Sequence, residues 1–515
     1  MENSKLKWLI IVGIWLLILG GGMWGYSHFW KPVQQKAAAD AKVKEHDKVI
    51  QSTSSQSRFQ WTININADAF TGYCVLRSRN FRDECAKRGI QVNIIDDQAD
   101  YNKRLHNLAD GTSQMAVFTI DALIKASASY GDFPATIIWV MDETKGADAI
   151  VGSKKVFPNI DSLNDPEVKV ICTPDSPSEF ITRVVMHHYN LPLLKQDCFK
   201  PANGAGEVYN VYKGSDAKVK QVYALWEPYV SKMRANPAYH VLVDSGKFRG
   251  YIVDVLTVSR DYAVKNPAVV EEVLKAYATA VFNRRNDMPD LILDDTRLLG
   301  EPIAKTDAER AVQSIWFKNT TENFGHMGLA TGSNLEHIDE MIANITEVLL
   351  ATGAIKSDPT SGKYALWYYN EVARKMFSES WYPGFGSEQI RQEKSLSQLS
   401  DEEWKKLEPV GTLRVPRLVF SRGTDALTDS SEATMTDLVE KLKSWPQYYL
   451  MVRGNCAHDP DPEVQQANLE LALSRAKKAM DWLVAHGIDK NRIHVTEGEP
   501  NGSTTVAFIL GQIPY

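Results

Sequence analysis

From Trp8 to Trp30 the chain runs 23 residues without a Lys, Arg, Asp or Glu. As an α-helix rising 1.5 Å per residue, such a run reaches about 34 Å, enough to cross a hydrocarbon core of roughly 30 Å. Trp8, Trp24, Tyr26 and Trp30 lie toward its ends, where amphipathic rings settle at the interfaces. A cleaved signal peptide would have a shorter apolar region and then a small-x-small cleavage site, but Ser27-His-Phe-Trp-Lys-Pro32 follows instead. The expectation is a short tail over 1–7 and one uncleaved transmembrane helix over 8–30. Lys5 and Lys7 before the span are answered by Lys31, Lys36, Lys42 and Lys44 after it, so charge alone does not orient it. Residues 31–58 turn Ala/Lys/Asp-rich and end in Gln51-Ser-Thr-Ser-Ser-Gln-Ser57, which reads as a linker.

A chain of 515 residues exceeds one ordinary core, so two or three domains are expected. A hydrophobic content of 44% and a charged content of 24% are those of a globular protein. The net charge of −6 and the lack of a basic cluster speak against nucleic acid as a partner. Five scattered cysteines without a C-x-x-C pair point to no metal site, and they leave open a single Cys172–Cys198 bridge in an oxidising compartment. His187-His188 falls within an amphipathic helix and reads as a surface pair. There is no Walker loop, no G-x-G-x-x-G and no Ser-His-Asp arrangement, so neither a cofactor nor a reaction is expected.

Beyond Phe59, strand-like and helix-like runs alternate. Trp61–Ile65, Gln91–Ile95, Met115–Thr119, Thr136–Met141, Ala149–Val151 and Val168–Cys172 read as strands. Val75–Arg88, Tyr101–Leu108 and Glu179–Tyr189 read as helices. This rhythm implies a largely parallel sheet with helices on its faces and a ligand beyond the strand C-termini. The turns at Phe70-Thr-Gly-Tyr73, Phe118-Thr-Ile-Asp121 and Thr173-Pro-Asp-Ser-Pro-Ser178 open helices there. Each is either an anion site on free N–H groups or a plain N-cap, and only the fold decides between them.

The Trp61…Phe70-Thr-Gly-Tyr73 opening, Leu108-Ala-Asp-Gly-Thr-Ser-Gln-Met-Ala116, Ala224-Leu-Trp-Glu-Pro-Tyr229 and Val253-Asp-Val-Leu-Thr-Val-Ser259 before Lys265-Asn-Pro267 follow one another in order. In that order they resemble the nitrate/sulfonate/taurine group of periplasmic solute-binding proteins. The resemblance covers 59–377 and implies a two-lobed α/β fold of the type II periplasmic-binding kind. One lobe would combine 59–145 with 255–377, and the other would be 146–250. It implies ligand contacts at Thr71, Tyr73, Thr119, Asp121, Ser176, Ser178, Trp226, Glu227 and Asp254, and a small polar or anionic solute. An ABC permease is the partner such a protein serves. A pyrimidine-forming enzyme branch of the same group, which uses pyridoxal phosphate, carries a Cys-rich motif that is missing here.

After a connector over 378–410 with one short helix at Asp401-Glu-Glu-Trp-Lys-Lys406, the pattern changes. Leu418–Phe420, Tyr448–Gly454, Arg492–Val495 and Thr505–Leu510 read as strands, with helices at Ala433–Ser444 and Leu469–His486. The order βαβαββ makes a small α+β sandwich. Asn468-Leu-Glu-Leu-Ala-Leu-Ser-Arg-Ala476 and Gly487-Ile-Asp-Lys-Asn-Arg-Ile493 make 411–515 resemble the OmpA peptidoglycan-binding domain. The resemblance implies that Arg475 and Asn468 take part in holding the diaminopimelate of a stem peptide. A guanidinium suits its carboxylate, and a carboxylate suits its ammonium. Ala457 occupies the place of the usual Asp, leaving Asp459 or Asp461 as its substitute.

The sequence therefore describes an inner-membrane, single-pass protein with most of its mass in the periplasm, which binds a solute and attaches to the wall. Two other classes stay open: an envelope tether with a vestigial cleft, and a thiamine-pyrimidine-type enzyme.

Overall fold

The structure, a computed structural model, describes residues 59–330, 335–379, 382–391, 396–443, 445, 447–496, 498, 500 and 504–513. The expected tail, anchor and linker lie outside the described residues. Within them, no helix is long and apolar enough to cross a membrane.

Two sheets form the middle of the molecule. The first contains β1 (Trp61–Ala67), β2 (Ile90–Asp96), β3 (Met115–Thr119), β4 (Ala135–Thr144), β10 (Val253–Ser259) and β11 (Ile315–Phe317), in the order β11-β4-β10-β3-β1-β2. β1 runs parallel to β2 and β3, while β10 runs antiparallel to its neighbours β3 and β4. All ten residues of β4 are buried, as expected of a strand covered on both faces.

The second sheet contains β5 (Asp148–Ser153), β6 (Lys169–Cys172), β7 (Phe199–Pro201), β8 (Gln221–Trp226) and β9 (Tyr239–Asp244), in the order β7-β6-β8-β5-β9. The chain passes between the sheets twice, from β4 to β5 and from β9 to β10. The crossings lie side by side, with Thr144 N donating to Ile252 O at 3.1 Å and Gly146 N to Ser245 Oγ at 2.9 Å.

Local chemistry sets the helices that face this seam. α1 (Tyr101–Ala109) is capped by Asp100, which accepts from Lys103 N at 3.0 Å. α2 (Ile120–Tyr130) stops at Gly131, whose φ of 82° is a left-handed C-terminal cap. α3 (Pro177–His188) starts with Ser176 as cap and Pro177 in its first turn. The helix expected over 75–88 is broken at Ser78, which leaves the helical region and caps the second piece by accepting from Phe81 N at 3.2 Å.

The C-terminal sheet contains β12 (Glu408–Thr412), β13 (Tyr449–Asn455), β14 (Ile493–Thr496) and β15 (Thr505–Gln512), in the order β12-β15-β13-β14. Its helices are α4 (Asp429–Lys443) and α5 (Pro462–Ala485). Gly454 lets α5 approach β13: a Cβ there would fall 1.9 Å from the Ala472 carbonyl oxygen.

Two sequence expectations change here. The first strand is Glu408–Thr412, which starts within the expected connector over 378–410 and crosses its end. Leu418–Phe420 contributes only a bridge from Phe420 to Leu427, because β12 already occupies the free edge of β15 and Val419 is left in solvent. Helix α5 starts at Pro462, seven residues before the expected start, because Asp461 caps it and proline suits the first turn.

The second lobe and the C-terminal domain share one core. Trp445 stacks on Tyr189 at 6.3 Å and meets the His188 ring edge-on at 4.7 Å. Backbone bonds run from Arg414 N to His188 O at 2.7 Å and from Asn190 N to Thr412 O at 2.9 Å. Asp161 accepts from Thr412 N and Oγ1 at 2.9 and 3.1 Å. His188 is therefore not a surface residue but a buried one, and burial, then the neighbouring His187, holds its imidazole well below the usual pKa. All five cysteines are buried free thiols, so the Cys172–Cys198 bridge is not formed.

Candidate functional site

A small cavity of about 20 Å³ lies at the seam between the two sheets. Asp68, Phe70, Tyr73, Tyr101, Thr119, Thr144 and Asp254 line it from the first lobe, and Asp148, Pro177 and Trp226 from the second. Four of them sit where a strand ends. Asp68 follows β1, Thr119 ends β3, Thr144 ends β4 and Trp226 ends β8.

Carboxyl groups dominate this seam. Asp254 on β10 stands in register with Asp142 on β4, and the Tyr73 hydroxyl donates to Asp254 in a short hydrogen bond. The Thr71–Tyr73 turn comes so near that a Cβ on Gly72 would lie 2.7 Å from Asp142 Oδ2, so only glycine fits. Ser178 Oγ donates to Asp148 Oδ1 at 2.9 Å. Burial is the main cause that pushes the carboxyls of Asp121, Asp142 and Asp148 up to about 7. Burial and then the facing Asp142 push Asp254 well above the carboxylate range. Asp68 is the exception with a cation: Arg104 reaches its Oδ2 at 2.9 Å.

The structure brings Tyr73, Thr119, Trp226 and Asp254 to the cavity wall. Ser178 stands directly behind Asp148. Asp121 is fully buried in the first turn of α2, and Thr71 is buried in the turn that carries Tyr73. Ser176 acts as a cap, accepting from Glu179 N at 3.3 Å. Glu227 caps its own turn, taking Ser231 N at 3.1 Å and Ser231 Oγ at 2.8 Å. Asp68, Asp148 and Tyr101 were missed in the sequence. A usable signal existed for the first two, since each is an acid next to a strand end at a β–α or lobe-crossing turn.

A second candidate site lies on the C-terminal domain. Arg475 on α5 donates from Nε to Thr424 O at 2.9 Å, and its guanidinium lies 5.0 Å from the Phe420 ring centre. The neighbouring Ser474 Oγ donates to Asp425 Oδ2 at 2.5 Å. Asp425 therefore stands beside Arg475, in a loop where sequence reading sought no partner. Asp461 is used as the cap of α5, and Asp459 Oδ1 accepts from Asp461 N at 3.0 Å. Neither forms an ion pair with Arg475. Asn468 is half-buried one stretch earlier on α5.

With that helix and loop described, the comparison is direct. Residues 419–507 match the OmpA family. The match thus begins in the loop after β12 and ends in β15, leaving the edge strand β12 outside it. No curated protein sequence matches the chain. Among solved structures, it is similar to the periplasmic aliphatic sulphonate binding protein from Escherichia coli, at 13% identity and a TM-score of 0.44, over 66% of this chain and 97% of that one. It is also similar to the periplasmic nitrate-binding protein from Synechocystis, at 12% identity and a TM-score of 0.46, over 62% and 88%. A desulfurization enzyme is similar at 12% identity and a TM-score of 0.43, over 62% and 99%. These likenesses concern architecture and carry no ligand across to this chain.

Proposed function

We propose that this chain is a solute-binding protein of the cell envelope, held at the inner membrane by its N-terminal apolar run and at peptidoglycan by its OmpA-like domain. The observation that carries the reading is the cavity itself. Its walls come from both lobes, so a solute touching Asp148 and Trp226 on one side and Tyr73 and Asp254 on the other favours the closed arrangement. The solute is then passed to an ABC permease or sensed, and it is bound rather than turned over. Thermal unfolding of the purified full chain against a panel of small polar solutes tests this. A ligand of the folded state must raise the midpoint with concentration. A panel in which no solute does so removes the binding reading and favours an envelope scaffold, for which the aromatic joint between lobe and OmpA-like domain already provides rigidity.

Wall attachment has its own test. Arg475→Ala removes the group expected to meet a stem-peptide carboxylate, and retention on purified sacculi should fall about tenfold, the order of one lost charge-assisted pair. Equal retention of variant and wild type would mean that Arg475 only anchors the Thr424 loop.

A further inference from the structure

We infer that Asp425 supplies the carboxylate of the wall site, so that the OmpA-like domain selects stem peptides whose diaminopimelate still carries a free ammonium. The inference rests on the wall-attachment reading of Arg475 and names what that same site discriminates.

A free amino-acid end carries a carboxylate and an ammonium on one carbon. Its receptor needs a cation and an anion that stand side by side without closing on each other. Arg475 is fixed from behind, with Nε donating to Thr424 O at 2.9 Å and the guanidinium 5.0 Å from the Phe420 ring centre. Its two terminal nitrogens make no hydrogen bond among the described residues, which leaves the fork that grips a carboxylate bidentately. Asp425 follows Thr424 directly, yet it does not close onto Arg475 as an ion pair. Ser474 holds it instead, Oγ donating to Oδ2 at 2.5 Å, and Oδ1 has no side-chain donor among the described residues. The exposed Lys478, one turn along α5 from Ser474, lies in electrostatic range of Asp425 without forming an ion pair.

The loop that presents Asp425 is built by its own hydrogen bonds. Phe420 bridges to Leu427, Ser421 N donates to Ala426 O at 2.8 Å, and Thr424 N donates to Ser421 O at 3.0 Å. Gly423, at a φ of 71°, turns the chain in the left-handed region that glycine favours. The acids expected from sequence are spent elsewhere. Asp461 accepts from Glu463 N at 2.9 Å as the cap of α5, and Asp459 Oδ1 accepts from Asp461 N at 3.0 Å. Asp425 instead belongs to the loop that Arg475 itself anchors, so one turn positions both charges. Selectivity follows. A diaminopimelate nitrogen acylated in a cross-link has lost its cation, while its carboxylate still enters beside Asp425 and leaves that acid without a counter-charge.

The test measures retention of the full chain, in detergent, on purified diaminopimelate-type sacculi, either untreated or treated with acetic anhydride. Acetylation turns free amines into amides and leaves the carboxylates. Wild type should be retained about tenfold less on acetylated sacculi, the order of one lost charge-assisted pair. Asp425→Asn should be held about tenfold less than wild type on untreated sacculi and should ignore acetylation. Asp425→Glu, which restores the charge, should regain part of both responses, with unfolding midpoints reporting that the variants keep the fold. Wild-type retention by Asp425→Asn overturns the proposal, and a loss with Arg475→Ala alone then leaves wall attachment standing. If neither variant changes retention, the wall reading of Arg475 falls as well. An Asp425→Asn protein as sensitive to acetylation as wild type places the ammonium elsewhere and overturns the assignment. Indifference of wild type to acetylation does the same, whether or not Asp425→Asn folds.

Discussion

Arg104→Met should destabilise the two-lobed region by about 3–5 kcal/mol, the range for breaking a buried ion pair by removing one partner. Arg104 is fully buried, and Nε and Nη2 both donate to Asp97, the former at 2.7 Å. Nη2 also reaches Asp68 at 2.9 Å, and Nη1 donates to the Val117 carbonyl on β3. The guanidinium lies 4.8 Å from the Tyr101 ring centre and 5.5 Å from that of Phe118. Methionine fills the volume but leaves the Asp97 carboxylate buried without its cation, with the Asn66 amide, which donates to its Oδ2 at 3.1 Å, as the remaining partner. Arg104→Lys should recover little, since one ammonium cannot reproduce a fork that serves two carboxylates and a carbonyl. Urea unfolding with a tyrosine or tryptophan signal reads the loss. A cost below about 1 kcal/mol would show that water reaches Asp97 and that Arg104 does not organise this wall. Because Asp68 and Tyr101 both lean on Arg104, solute response should fall along with stability.

That dependence explains what the sequence could disclose. β3 and β4 were readable because strands covered on both faces are continuous apolar runs, and the turn residues Tyr73 and Thr119 were readable because they follow strand ends. Asp142 was not, since it closes the apolar run of β4 and acquires meaning only when β10 brings Asp254 into register with it. Asp148 and Trp226 become part of one wall through the pairing of β5 with β8, which no local pattern encodes. The same holds in the OmpA-like domain. Arg475 stands out on its helix, but Asp425 lies 49 residues before Ser474, in a loop whose position depends on where β12 joins the sheet. His188 looked like a surface residue for a related reason: its covering partner, Trp445, belongs to another domain. Local chemistry marks caps, strands and turns, while the charge of a site depends on contacts distant in sequence.

The second large effect follows from that charge. Without solute, wild type should lose stability relative to Asp142→Asn as pH rises from 4 to 7. The Asp142 carboxyl is pushed up to about 7 by burial, with Asp254 facing it and Lys318, Asp148 and Glu143 within electrostatic range. In the unfolded chain an aspartate titrates near 4. Between those values the folded state holds a proton that the unfolded state has released, so each pH unit costs the fold about 1.36 kcal/mol. The accumulated loss is on the order of 4 kcal/mol, complete above pH 7 and absent below pH 4. Asparagine carries no such term, and its amide can donate to Asp254. Buried His188 and His326 act in the opposite direction, since burial lowers both and His326 falls to about 3, so they favour the fold as pH rises. Glu336, raised to about 8 by burial, adds to the loss. Comparing the two proteins at each pH cancels the contributions of His188, His326 and Glu336, while Asp254, whose carboxyl Asp142 also pushes up, falls in the variant and widens the gap. Denaturant unfolding at half-unit steps between pH 4 and 8 measures the difference. Parallel stability curves would mean that Asp142 ionises like an exposed carboxylate, and the seam would then already contain a neutralising charge.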